Sequence, residues 1–254
     1  MEPVEVTANP PCVPPETGLS RMTISRLWRA FGRQPHRADT FKLSPDPQWI
    51  EKVRDIVGFY MNPPEHALVF CVDEKSPIQA LDRTQPLWPL RPWQVERGTH
   101  DYQRHGTTSL FAALELKTSR VLGPLHGRHR SREFRQFLDA IEAQLEVHLV
   151  ADHYGTHKTA MIRKWFAKRP RFHVHFTPTY GSWINLVERW FAELTNKRIR
   201  RGAFRSVKEL ESAIREYISV HNEDPNPFVW TRTADQILDS IARYAQRTTA
   251  VQPG

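Results

Sequence analysis

Residues 67–75 read Ala67-Leu68-Val69-Phe70-Cys71-Val72-Asp73-Glu74-Lys75. Six apolar or small residues in a row, rich in β-branched and aromatic types, predict a strand buried on both faces, and the charged triplet after Val72 predicts its end. A second stretch has the same form: Val147-His148-Leu149-Val150-Ala151 runs into Asp152. Two aspartates at the carboxyl ends of buried strands decide how the rest of the chain is read, because open α/β sheets bind their ligands at those ends.

Working outward, Thr107–Leu116 and Arg120–Leu125 read as strands, and Phe172–Phe176 as another. Helical periodicity marks Trp49–Tyr60, stopped by Pro63-Pro64, and Ser131–Leu145, with Phe134, Phe137, Leu138, Ile141 and Leu145 on one face. It continues over Thr156–Lys168 and Trp183–Arg200, the latter with an apolar stripe through Trp183, Ile184, Val187, Trp190, Phe191 and Leu194. Ser206 with Glu209, and Thr233 with Gln236, are capping boxes for two last helices. Residues 76–106 read as irregular. Three strands close in sequence suit an antiparallel meander, and strands alternating with helices suit parallel pairing. The expected class is therefore α/β, with the element order of a ribonuclease H-like mixed sheet flanked by helices.

The N-terminal region differs. Residues 1–17 hold five prolines and little apolar periodicity, which suits a poorly ordered arm. Ser20 then caps a pattern at Ile24, Leu27, Trp28 and Phe31, with Arg21, Thr23, Arg26 and Arg29 on other faces. This suits the DNA-reading helix of a helix-turn-helix and equally a short amphipathic helix; prolines stand where the preceding helix belongs, so the head is at most partial. The expected division is 1–44 arm and partial helix-turn-helix, 45–66 linker helix, 67–225 catalytic domain and 226–254 C-terminal helix.

Composition narrows the function. A net charge of +8 and two cysteines, Cys12 and Cys71, favour polyanionic partners and exclude a disulfide framework or cysteine-rich zinc module. No apolar run is long enough for a membrane span and no secretory leader is visible, which suits a cytosolic or nucleoid protein. Basic residues gather at Lys197, Arg198, Arg200, Arg201 and Arg205, and again at Arg128, Arg130, Arg132 and Arg135. Each group suits a solvated face or a DNA backbone.

The chemistry rests on carboxylates. Two strand-end aspartates on neighbouring strands repel unless a cation lies between them, and hard oxygen donors select Mg²⁺ or Mn²⁺. Glu188, on the helix after the last strand and three residues beyond Asn185, supplies a third. Three converging carboxylates with two metal ions are suited to phosphoryl transfer on DNA, Asp73 bridging the ions and Asp152 and Glu188 completing one side each. A zinc site from His153 and His157 is disfavoured, because no Glu lies between them as in a zincin motif; His157 suits an orienting role at a helix start. His173 and His175 alternate on one strand face and suit packing at its edge. Trp88, Trp93, Trp183 and Trp190 are possible base-stacking residues, with core packing the better reading of the last two.

Four blocks together resemble the DDE transposases of bacterial insertion sequences in the mariner-like superfamily. They are Cys71-Val72-Asp73-Glu74-Lys75-Ser76, His100-Asp101-Tyr102 through Gly106-Thr107-Thr108, Asp152–Lys158, and Phe176-Thr177-Pro178 through Glu188-Arg189. The resemblance runs from about residue 18 to 245, with 35 residues between Asp152 and Glu188. It implies a ribonuclease H-like core, a divalent metal, cut-and-paste movement of an insertion sequence, and a double-stranded DNA partner comprising terminal inverted repeats and target. It also implies a homodimer on DNA and no membrane. Arg21, Thr23, Arg26, Lys197, Arg198, Arg200 and Arg201 are then the expected DNA contacts, with Asn185 and His157 in support. His153 stands where the family usually carries Asn. The alternative expectation is a catalytically silent, DNA-binding remnant of a truncated element.

Overall fold

The structure is a computed structural model that describes residues 44–83, 101–141, 145–152 and 159–250, together with Thr23. The chain divides into two compact units, Met1–Lys42 and Leu43–Gly254. The arm and the head helix therefore lie outside the described residues, except Thr23, which is helical. Trp88, Trp93, His153 and His157 lie outside them too.

In the second unit the elements run α1 (Trp49–Met61), β1 (Ala67–Arg83), β2 (Tyr102–Glu115), β3 (Val121–Leu122), β4 (Leu125–His126), α2 (Ser131–Ala140), β5 (Glu146–Ala151), α3 (Ala160–Ala167) and β6 (Phe172–Phe176). A 3₁₀ turn (Ser182–Ile184), α4 (Leu186–Leu194), a π-helical turn (Thr195–Ile199), α5 (Val207–Glu223) and α6 (Ala234–Ala250) complete it. The six-stranded sheet has the order β3-β2-β1-β5-β6, with β4 also on β2. β1 pairs antiparallel with β2 and parallel with β5, and β5 pairs parallel with β6. The α/β class and the mixed sheet expected from element order are both present.

Alternation along the strands builds two cores, since successive side chains leave opposite faces of a sheet. Val69, Cys71, Leu110, Ala112, Leu114 and Val150 join one cluster with residues of α1, α4 and α5. Val72, Phe111, Ala113, Val147, Leu149 and Ala151 join the other with residues of α2 and α3. The sheet is thus sandwiched between helices. α1 belongs to the first layer because Val53, Ile56, Val57 and Tyr60, spaced by three or four, are its buried side chains. Trp190 is fully buried at the centre of that layer.

Several boundaries differ from the sequence expectation. β1 does not stop at Val72: it runs 17 residues to Arg83, so residues 76–83 are strand rather than irregular, as are 102–106. The charged triplet Asp73-Glu74-Lys75 looked like a strand end, yet β2 supplies an antiparallel partner, Asp73 facing Ala112 and Glu74 facing Phe111. The stretch 120–125 breaks into two short strands around Gly123-Pro124, because proline cannot donate to a ladder. α2 ends at Ala140, and Leu145 is half exposed rather than on the core face. α3 is seen from Ala160, residues 156–158 lying outside those described. The single helix expected over 183–200 is three pieces, and Trp183 is 42% exposed rather than core. Both C-terminal capping pairs form: Ser206 Oγ accepts from Glu209 N at 3.1 Å, and Thr233 and Gln236 bond reciprocally at 3.0 and 3.3 Å.

Candidate active site

The parallel ladder between β1 and β5 closes with Val72 opposite Ala151. Asp73 and Asp152 are the next residues on each side of that last pair, so neighbouring backbones about 5 Å apart deliver both carboxylates to one end of the parallel sheet. Asp73 shares strand parity with Val69 and Cys71, whose side chains face the layer that holds α4. Its side chain is only 7% exposed.

The third carboxylate arrives by a different route. After β6 the chain does not enter a helix at once. Thr177 N donates to Ala151 O at 2.8 Å, Gly181 N to Pro178 O at 2.8 Å, and the 3₁₀ turn follows. Any β-carbon at Gly181 would come within 2.6–2.9 Å of Pro178, so this turn requires glycine. Asn185 then takes an extended conformation as N-cap of α4. It caps this helix rather than lying within one that begins at Trp183, as expected from the sequence, and its backbone carbonyl accepts from Glu188 N at 3.1 Å. Its side chain, 1% exposed, donates from Nδ2 to Val72 O at 3.1 Å, while Oδ1 is buried without a partner. Glu188 lies in the first turn of α4, where the positive end of the helix dipole favours an anion.

The loop between β6 and α4 is therefore fastened to the residue before Asp152 and to the residue before Asp73. α1 adds two further ties. Tyr60 Oη donates to Ile184 O at 2.8 Å and lies 3.3 Å from Cys71 Sγ. Asp46, just before that helix, accepts from the Thr179 backbone as well as from Lys52, contacts that lower its pKa. Sequence reading missed these anchors because the bonds of Asn185 to Val72, Tyr60 to Ile184 and Asp46 to Thr179 each join positions more than a hundred residues apart.

The electrostatics of Asp73 reflect the other two carboxylates. Burial first, then the charges of Asp152 and Glu188, push the Asp73 carboxyl up to about 8, against a bond from Glu74 N that favours the anion. Cys71 next to this site is no nucleophile: burial pushes its thiol up to about 11. Among the described residues, no three His, Cys, Asp or Glu side chains are drawn together tightly enough to hold a metal ion. The donor set nevertheless fits a hard divalent cation, since it consists of oxygen ligands whose mutual repulsion is already expressed at Asp73.

The basic residues divide. Lys197 pairs with Glu193 and Arg198 with Glu216, both at 2.8 Å, and Arg200 donates to Asn196 at 3.2 Å. Arg201 is exposed, as are Arg128, Arg130, Arg132 and Arg135. The histidines on β5 and β6 form a network: His175 lies 2.6 Å from Asp55 and 3.0 Å from His148, and His173 lies 2.8 Å from Glu146.

The family model described as DDE superfamily endonuclease matches residues 68–211, more than half of the chain. The insertion element IS630 uncharacterized 39 kDa protein of Shigella sonnei is 30% identical over 80 residues, which cover 32% of this chain and 22% of that protein. The fold is similar to that of the Mos1 mariner paired end complex with Mn, with TM-score 0.56 and 15% identity over 80% of this chain and 64% of that one. It is also similar to the pre-cleavage Mos1 transpososome, with TM-score 0.56 and 14% identity over 91% and 69%.

Proposed function

The chain belongs to the DDE superfamily endonucleases, and from that membership we propose that it is the catalytic part of a transposase, cutting and joining DNA with Asp73, Asp152 and Glu188 holding divalent metal ions. The observation that carries this reading is geometric: the β1–β5 ladder ends at Val72 and Ala151, immediately before Asp73 and Asp152, and Asn185, which caps the helix whose first turn holds Glu188, is bonded to Val72. The buried position of Asp73 beside two further acidic residues agrees with it.

A bound Mg²⁺ or Mn²⁺ would activate the attacking water or 3′-hydroxyl and stabilise the leaving oxygen. The chain's own contribution is placement. β1 fixes Asp73 within the stretch Phe70–Lys75 that pairs with β2 in unbroken register, the Thr177–Ala151 bond holds the loop against the end of β5, and the Asn185 cap sets the start of the Glu188 helix. Below about pH 8 Asp73 holds a proton, which a cation must displace. Residues 67–225 are the proposed catalytic domain. Arg21, Thr23 and Arg26 of the first unit, with Lys197, Arg198, Arg200 and Arg201, are the proposed contacts to duplex DNA. The ion pairs of Lys197 and Arg198 are exposed, and such pairs are worth at most about 1 kcal/mol, so phosphates can replace Glu193 and Glu216. The inverted repeats of an insertion sequence are the proposed substrate, with a homodimer joining two ends.

Nicking of supercoiled plasmid in Mg²⁺ or Mn²⁺ tests the proposal. The native chain nicks only with metal, and the Asp73→Ala, Asp152→Ala and Glu188→Ala variants do not. A variant that still cuts loses its assigned role; a folded native chain that cuts nothing is a silent remnant.

A further inference from the structure

Asp73 and Lys75 stand two residues apart on β1, within the stretch that pairs with β2 in unbroken register, so their side chains leave the same face of the sheet. Glu188 and Phe191 stand three apart on α4, which makes them neighbours on the helix surface, about 4.5 Å apart along its axis. The Lys75 ammonium lies 5.7 Å from the centroid of the Phe191 ring. A positive charge is thus set between the strand of one carboxylate and the helix of another. Among the described residues it has no hydrogen bond and no ion pair. Lys52 and Lys197, by contrast, hold Asp46 at 2.7 Å and Glu193 at 2.8 Å. Lys75 is half-buried. Withdrawing a cation from water without an anion to pair it is costly, and an aromatic face offsets only part of that cost.

We propose that Lys75 contacts the substrate, its ammonium leaving the Phe191 ring to bond a non-bridging oxygen of the phosphodiester held at the carboxylates. This deepens the nuclease reading and rests on it for where the phosphodiester sits. The partner of Lys75 is an acceptor, because an ammonium group only donates. It reaches the face that Asp73 and Lys75 share, and it arrives from outside, since no described residue pairs with this charge. A phosphodiester meets each condition. Lysine suits a contact that forms on arrival: it is a point charge on a flexible stem, whereas the planar arginine fork requires a fixed geometry. Positive charge aimed where negative charge develops during phosphoryl transfer accelerates the step itself, so the contact acts on the rate of cleavage more than on binding.

The test compares the full native chain with Lys75→Met, which keeps the apolar stem over Phe191 and removes only the charge. Lys75→Gln is the second neutral variant, and circular dichroism melts confirm that both fold. Plasmid nicking in Mn²⁺ is expected to slow by about a hundredfold in either, the scale of one lost donor to a developing oxyanion. Lys75→Arg, which restores the charge, is expected to keep about a tenth of the native rate or more. Binding is read separately, from the anisotropy of a fluorescein-labelled 30-base-pair duplex in Ca²⁺ between 50 and 200 mM NaCl. The slope of log affinity against log salt should fall by about one in Lys75→Met, the mark of one phosphate contact fewer. Nicking at the native rate by the folded neutral variants overturns the proposal. Slowed nicking with an unchanged salt slope overturns it too, by assigning Lys75 to the packing of α4. A smaller slope for Lys75→Met, with a native chain that nicks nothing, retains the phosphate contact and rejects the nuclease; an unchanged slope in such a chain rejects both.

Discussion

Asn185 donates from Nδ2 to the backbone carbonyl of Val72 across 3.1 Å, joining the residue that caps the Glu188 helix to the residue preceding Asp73. One short side chain thereby sets the spacing between two of the three carboxylates. Asn185→Ala leaves Val72 O without that donor and is expected to cost about 1–3 kcal/mol of stability. It should also slow nicking by about a hundredfold through misplacement of Glu188. Thermal melts and plasmid nicking check this; a folded alanine variant that nicks at the native rate removes Asn185 from any positioning role.

Asp73 makes stability depend on pH. Its folded pKa, about 8, lies above the ordinary 3.8. The folded state therefore keeps a proton that the unfolded chain releases, and its stabilisation is complete below pH 3.8 and lost as pH rises through 8. Asp73→Asn, which stays neutral, should lose less stability between pH 5 and pH 8.5, the gap in Tm between variant and native chain widening by several degrees. A constant gap across that range contradicts the buried, mutually repelling carboxylates.

The same repulsion predicts the response to metal. At pH 7.5, millimolar Mn²⁺ should raise the Tm of the native chain, because a ligand that binds only the folded state stabilises it by mass action. Asp73→Asn and Asp152→Asn should abolish the shift. Identical shifts in the native and substituted chains locate the ion elsewhere.

The core offers a test independent of chemistry. Trp190 is fully buried, and its Nε1 has no partner. Trp190→Ala is expected to cost about 3–5 kcal/mol. Trp190→Phe should cost markedly less, since it keeps most of the ring and removes the orphaned donor. Urea unfolding distinguishes the two, and equal losses would show that shape alone governs the site.

At the acid end, His148 is the group to follow. Burial and then the charges of His175 and His173 lower its pKa, against Glu146 on its own strand and Asp55 on α1. Its neutral form is favoured on folding, so the stability it provides is present above pH 6.5 and is lost as pH falls through the lowered value. His148→Asn should flatten the decline in Tm between pH 7 and pH 5. Parallel declines in native and variant chains would acquit the histidine network.

Local pattern pointed to the mixed sheet, with an antiparallel start and parallel later strands, because that follows from apolar runs and what interrupts them. It failed where tertiary partners decide. Asp73-Glu74-Lys75 resembles a strand end until β2 is seen to pair with it. Trp183 fits an apolar helical stripe, but it falls in the 3₁₀ turn and the helix starts only after the cap at Asn185. The ties from Asp46, Tyr60 and Thr177 leave no local periodicity, since each crosses between distant segments. The Arg198 ion pair was hidden for a related reason, since Glu216 lies on another helix, whereas the Lys197–Glu193 pair is four residues apart and was legible in the sequence.

The continuation of β1 beyond Asp73 has a mechanical consequence. An aspartate at a strand's last residue can swing on a loop; one clamped in register opposite Ala112, with strand on both sides, cannot. Asp73 is the anvil of the site. The sheet itself, not a loop, therefore sets how deep this carboxylate lies.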